Sequence, residues 1–254
     1  PVAIFLRRTP EDMGLLPDGV CPEEARRPKE DTKSHPELVH QQEISMTANQ
    51  ALRHPSFYLL TVAFSHVFLA APALNLHMIP YMTDKGIPSG YAVTATALMS
   101  LTAGVGSMFA GLLSERITAR RTLVGILALM GIGYFGLLAV EVAWHSMVWA
   151  VFFGLSSGGM FILQQVIFAE FYGREHLGAI RGIVWPIQMV FNAAGPFVAS
   201  IAFDSLGSYT LIFTVFAGLL MVSSVLMLLA KPPVALHDGG ALPDREVMER
   251  TLHS

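Results

Sequence analysis

Charge is what this sequence has least of. Asp, Glu, Lys and Arg together make up 14% of its 254 residues, against about 25% in a soluble domain. That shortfall excludes an ordinary water-soluble enzyme. The formal net charge is −3, so no global basic field exists to attract nucleic acid. A single cysteine, Cys21, forms no intrachain disulfide and makes no zinc site alone. Neither a phosphate-binding glycine loop, a metal-ligand cluster nor a serine–histidine–aspartate pattern stands out, and no cofactor is implied. The chain opens on Pro1 rather than methionine, and its first apolar stretch, residues 1–6, is too short for a signal peptide. The expectation is a chain that begins partway through a longer protein.

Apolar residues fill the space that charge leaves. With glycine counted and tyrosine set aside they reach roughly 60%, against about 45–50% for a soluble domain. They are concentrated in six runs, at 57–81, 91–113, 122–140, 147–171, 183–203 and 209–230. Each is long enough to cross a hydrocarbon layer ~30 Å thick at ~1.5 Å per residue. Lys and Arg are absent from all six. The spacing predicts an all-α integral membrane protein with six spans in a lipid bilayer. Residues 7–53 are polar and broken by Pro10, Pro17, Pro22, Pro28 and Pro36, and residues 231–254 open on Pro232 and Pro233. Both stretches read as solvated connectors with too little apolar surface to offset chain entropy.

The remaining basic residues set an orientation. With the first segment in the cytoplasm, 15 of the 16 Lys and Arg residues fall on that side and Lys85 stands alone on the other. The rule that cytoplasmic loops carry the positive charge then places both ends of the chain in the cytoplasm. Tyr81, Tyr91, Trp144, Trp149 and Tyr209 fall near the opposite boundary, as an interfacial aromatic belt would.

Polarity divides the spans. The third and sixth are apolar nearly all round and suit lipid contact, with Leu127 and Leu219 expected to meet hydrocarbon. The other four carry stripes at helical spacing. These are His66, Ala70, Ala73 and His77 on the first; Thr96, Ser100, Ala103, Ser107 and Gly111 on the second; Gly154, Gly158, Phe161 and Gln165, beside Gln164, on the fourth; and Trp185, Gln188, Asn192 and Pro196 on the fifth. Four striped helices around a water-accessible space, with two outside, is the expected bundle.

Four passages make the sequence resemble the C-terminal six-helix half of a major facilitator superfamily transporter, in the branch of bacterial monocarboxylate and oxalate–formate carriers. They are Arg8 to Gly19; Gly111 to Arg116 with Arg120 and Arg121; Phe171 to Gly178 with Arg181 and Gly182; and Gly195-Pro196 with Asp204, Gly207, Ser208 and Tyr209. The second is similar to the superfamily's Gly-x-x-x-Asp-Arg-x-Gly-Arg-Arg loop, with Glu115 at the acidic place, Thr118 for the glycine and Ala119 for one basic residue. The resemblance implies that residues 1–56 hold the end of a preceding helix and a cytoplasmic interdomain loop. Residues 57–230 would be helices seven to twelve, and 231–254 a cytoplasmic tail. It implies an inner-membrane protein of bacterial type, an N-terminal six-helix partner half, and a small-molecule solute moved by alternating access. A gating role for Gly111, Glu115, Arg116, Arg120 and Arg121 follows, with Gly111 permitting close helix approach. Orientation anchoring is the rival reading of the arginines.

His66 and His77 are the ionisable side chains well inside the spans, and the cost of burying them against lipid aims both inward. Each is a candidate pathway residue, or a histidine satisfied by a neighbouring helix. Gln164, Gln165, Gln188 and Asn192 are candidate hydrogen-bond donors to a solute or interhelical glue. Glu170 and Asp204 lie at helix ends. The second and fifth spans contain no Lys or Arg to neutralise a small carboxylate, so an organic-acid solute would draw its cation from the other half. Besides a transporter half, a non-transporting remnant or assembly module remains open, and a six-helix membrane enzyme is the third reading.

Overall fold

The computed structural model describes residues 46–233. The expectations for the preceding loop and the C-terminal tail lie outside the described residues.

A short helix, α1 (Ala48–Leu52), precedes the spans. It is held at its start by a reciprocal cap: Gln50 N–H donates to Thr47 Oγ1 and Thr47 N–H to Gln50 Oε1, at 3.4 and 2.8 Å. The spans are α2 (Pro55–Asp84), α3 (Ser89–Arg116), α4 (Ala119–Leu138), α5 (Ala143–Ser157) with α6 (Met160–Tyr172), α7 (Leu177–Leu206) and α8 (Thr210–Leu229). Six segments, counting α5 and α6 as one, are long and apolar enough to cross a membrane. Helices α2, α3, α7 and the α5–α6 pair extend beyond their apolar runs because polar first and last turns also coil once the interior of the helix exists. Gly207 ends α7 at φ 65°, a left-handed conformation that L side chains rarely adopt.

The fourth span, Ala143–Tyr172, carries a two-residue interruption in its hydrogen bonding. Gly158 N–H closes α5 on Gly154 O at 3.1 Å, and Leu163 N–H opens α6 on Gly159 O at 3.0 Å. The paired glycines 158 and 159 lie at the join. Continuous apolarity cannot reveal such a break, because hydropathy carries no information about backbone hydrogen bonding.

Helix α2 packs along α7 and α8, α4 along α8, and α3 along α5. Hydroxyls and indoles tie backbones across these seams: Tyr134 Oη donates to Ala70 O at 2.6 Å, Trp149 Nε1 to Gly133 O at 2.7 Å, and Ser224 Oγ to Val124 O at 2.9 Å. Such polar atoms need protein partners where water is absent. Leu127 is fully buried and Leu219 half-buried, which corrects the expectation that both meet lipid. A helix with lipid on one side and apolar neighbours on the other is apolar all round, so composition cannot say which leucine faces which. On α4 the outward residues are Leu129, Ile132 and Phe135.

At Gly111 no atom of the described residues lies within 4 Å of the place its Cβ would take, whereas a Cβ on Gly158 would meet Ala103 O, and one on Gly195 would meet Leu69 O. Close approach therefore occurs in mid-span, between α3 and α5 and between α2 and α7.

Candidate functional site

The two ends of the bundle differ. One end, the terminal face, gathers the segments next to the chain's described limits. Met46 N–H donates to Tyr172 O at 2.9 Å, and Ser56 Oγ lies 3.3 Å from Tyr172 Oη. A cleft of ≈ 420 Å³ lies there among Thr118, Arg120, Arg121, Glu170, Phe171 and Pro232. Arg120 Nη2 donates to Leu228 O at 3.0 Å, a cation on the C-terminal carbonyls of α8. Thr118 caps α4 by accepting the Arg121 N–H at 3.3 Å, so the residue in the glycine's place starts a helix. Glu115 and Arg116 are exposed.

At the other end, the distal face, Lys85 Nζ donates to Leu138 O at 2.6 Å and Val140 O at 3.0 Å, closing the C-terminus of α4. Its ammonium also lies 4.9 Å from the centre of the Tyr81 ring. Burial pulls this ammonium below the usual lysine range, while nearby Glu141 acts in the opposite sense. The one basic residue against the orientation pattern is thus a helix cap.

Between the faces, a cavity of ≈ 210 Å³ opens beside the α5–α6 break. Its apolar wall includes Leu74, Met99, Met130, Phe153 and Phe161, and its polar atoms come from Asn75, Ser100 and Ser157. Ser100 belongs to the predicted stripe of the second span. Asn75 and Ser157 were missed, although a lone amide inside the first apolar run is a readable signal. The backbone at the join stays right-handed, with φ −59° and ψ −37° at Gly158 and φ −79° and ψ −8° at Gly159.

The expected site residues divide. Gln164 Nε2 donates to Gln188 Oε1 at 3.0 Å, joining α6 to α7, with the two side chains 2% and 1% exposed. Gln164 Oε1 and Gln188 Nε2 stay buried without partners. Gln165 and Asn192 are half-buried. His66 and His77 do share a face of α2, and that face meets α8 and α7: His66 Nδ1 lies 2.9 Å from Ser223 Oγ, and His77 contacts Tyr209 and Pro196. Gly154, expected on the same stripe as Gln165, packs against Met99 and Thr102 of α3.

Comparisons with known proteins agree with this architecture. The family model described as Major Facilitator Superfamily matches residues 22–178 and 57–247. Monocarboxylate transporter 12 of Rattus norvegicus is 24% identical over 179 residues, covering 69% of this chain and 37% of the relative. Its counterpart from Xenopus laevis is 24% identical over 185 residues, covering 71% and 40%. The chain thus aligns with about two-fifths of the length of these relatives. With six spans, a cavity at a broken helix and a family match across most of its length, the chain belongs to the Major Facilitator Superfamily.

Proposed function

We propose that this chain is the second six-helix half of a secondary transporter that moves a small organic solute by alternating access. The cavity at the α5–α6 break carries the reading, since it combines a small volume, an apolar wall and three uncharged polar side chains. Such a wall suits the apolar body of a small monocarboxylic acid, the solute class in the name of the two relatives. A counter-charge for the carboxylate would come from the N-terminal half. That half would cover α3 and α7, whose most apolar windows are only 17% and 11% buried. The terminal face lies in the cytoplasm of a bacterial inner membrane on this reading, because Arg53, Arg116, Arg120, Arg121, Arg174, Arg181 and Lys231 belong to it.

Within the half, Asn75, Ser100 and Ser157 hold the solute, and Gln165 and Asn192 extend the polar lining. Gln164 and Gln188 act as a seam between α6 and α7 beside the pathway. His66 is a junction with α8, and His77 is taken up below. Arg120 fixes one side of the cytoplasmic loop while Gly111, Glu115, Arg116 and Arg121 remain available to the opposite half, which makes the loop a gate.

Uptake of radiolabelled lactate and formate into proteoliposomes holding the complete transporter tests this. Uptake that falls at least several-fold in Asn75→Leu, with insertion unchanged, supports it; lactate and formate both left outside by a folded protein would overturn the solute class. Arg116→Ala should slow uptake more than it lowers abundance, and an unchanged rate would reduce the loop to an orientation signal.

A further inference from the structure

The imidazole of His77 sits where α2, α7 and α8 converge near the distal face, 7% exposed. Three oxygens surround it. Pro196 O and Ser200 Oγ lie 3.1 and 3.4 Å from Nε2, and Tyr209 Oη lies 3.2 Å from Nδ1. A carbonyl only accepts, so Nε2 carries the hydrogen of the neutral ring and Nδ1 accepts from the Tyr209 hydroxyl. A neutral imidazole has a single N–H to give, yet each ring nitrogen here faces an oxygen able to accept one.

Charging the ring therefore needs one rearrangement. The proton adds to the Nδ1 lone pair, and the Tyr209 O–H rotates so that its oxygen receives instead of gives. No covalent bond of the protein breaks, and both ring nitrogens keep an oxygen partner. The amide pair of Gln164 and Gln188, by contrast, keeps a buried acceptor and donor unpaired.

Charged groups stand near the Tyr209 side of the ring. On α2, Asp84 is seven residues beyond His77 and so on the same face, and Tyr81 meets the Tyr209 ring edge-on at 6.1 Å. On α7, Asp204 is one turn past Ser200. Both carboxylates act electrostatically on Tyr209. The nearby cation, Lys85, is committed to the C-terminus of α4 beside Glu141. Asp84 and Asp204 are exposed, whereas Tyr209 and the ring are buried.

We propose that His77 is a proton-binding site of the distal face, filled from water past Asp84 and Asp204 and accommodated by reversal of the Tyr209 hydrogen bond. The proposal deepens the transport reading by naming an ion the bundle binds, but its test reads the ring itself and needs no transported solute.

The complete chain, labelled with ¹³C and ¹⁵N at histidine and held in lipid nanodiscs, is titrated from about pH 8 to about pH 5, the range in which histidine ordinarily changes charge. The His77 signals are assigned by their loss in His77→Gln. The expected result is passage from the neutral to the charged pattern within the folded protein. Tyr209→Phe keeps the ring packing and removes the accepting oxygen, and should lower the ratio of charged to neutral ring at about pH 5.5 roughly three- to tenfold. Asp84→Asn with Asp204→Asn should lower it less, and decides the matter if Tyr209→Phe fails to fold. A ring that stays neutral to pH 5, or one that charges equally in every folded variant, overturns the proposal.

Discussion

Helices α2 and α7 are equally long, 30 residues each, yet the most apolar window of α2 is 61% buried and that of α7 only 11%. Helix α3 resembles α7 at 17%. On the packed side, α2, α4 and α8 interlock large side chains, with Leu127, Tyr134, Phe213 and Phe216 all essentially sealed. On the open side, α3 and α7 are attached through small residues that bring backbones together, and send Leu101, Met108, Phe109, Val190 and Phe197 outward. The contrast shows two ways of joining helices where lipid is as apolar as leucine. One fills space with side chains, and the other removes side chains so that backbones touch.

The strongest way to break this comparison is at the open side's seam. Gly158→Leu would drive a side chain into the backbone carbonyl of Ala103, a clash that no rotamer relieves. Folded, monodisperse protein should be lost on size exclusion. Gly104→Leu on α3, where nothing lies within 4 Å, should elute as the parent does.

Truncation on the packed side comes next. Leu127→Ala leaves a cavity without a large transfer penalty, because lipid also solvates leucine, so about 1–3 kcal/mol is expected. Leu101→Ala, 69% exposed, should change stability by less than about 0.5 kcal/mol. Reversible unfolding in mixed micelles compares the two, and equal costs would end the distinction between the sides.

Smaller effects sharpen it. Tyr134→Phe deletes the bond to Ala70 O and should cost about 0.5–1.5 kcal/mol, more if the carbonyl stays dry. The two cationic caps come last. Arg120→Gln at one face and Lys85→Gln at the other should each cost about 0.3–1 kcal/mol. Added salt should reduce both differences, and a salt-independent loss would point to packing by the side-chain stems instead.

Much of the fold was legible because lipid imposes a long, charge-free run on every span, and six such runs are visible without any partner. The candidate site was legible only in pieces. Ser100, Gln164 and Gln188 stand out as polar atoms in apolar runs, but a stripe says that a residue has a polar neighbour and not which one. Hence His66 and His77 share their predicted face while that face meets α7 and α8. The Arg120 cap was foreseeable as a basic residue near helix ends, whereas its particular acceptor, Leu228 O, lies 108 residues away in the chain.

By itself, then, the sequence determined the number of spans, their alternation and the end of the bundle that collects basic charge, since each follows from local hydropathy and the placement of Lys and Arg. Tertiary structure alone decided which side of each apolar helix is buried, where the fourth span breaks, and which oxygens surround His77. The burial and the partners depend on contacts between helices distant in the chain, 132 residues apart for His77 and Tyr209, where the identity of the neighbour, and not the polarity of the residue, sets the outcome.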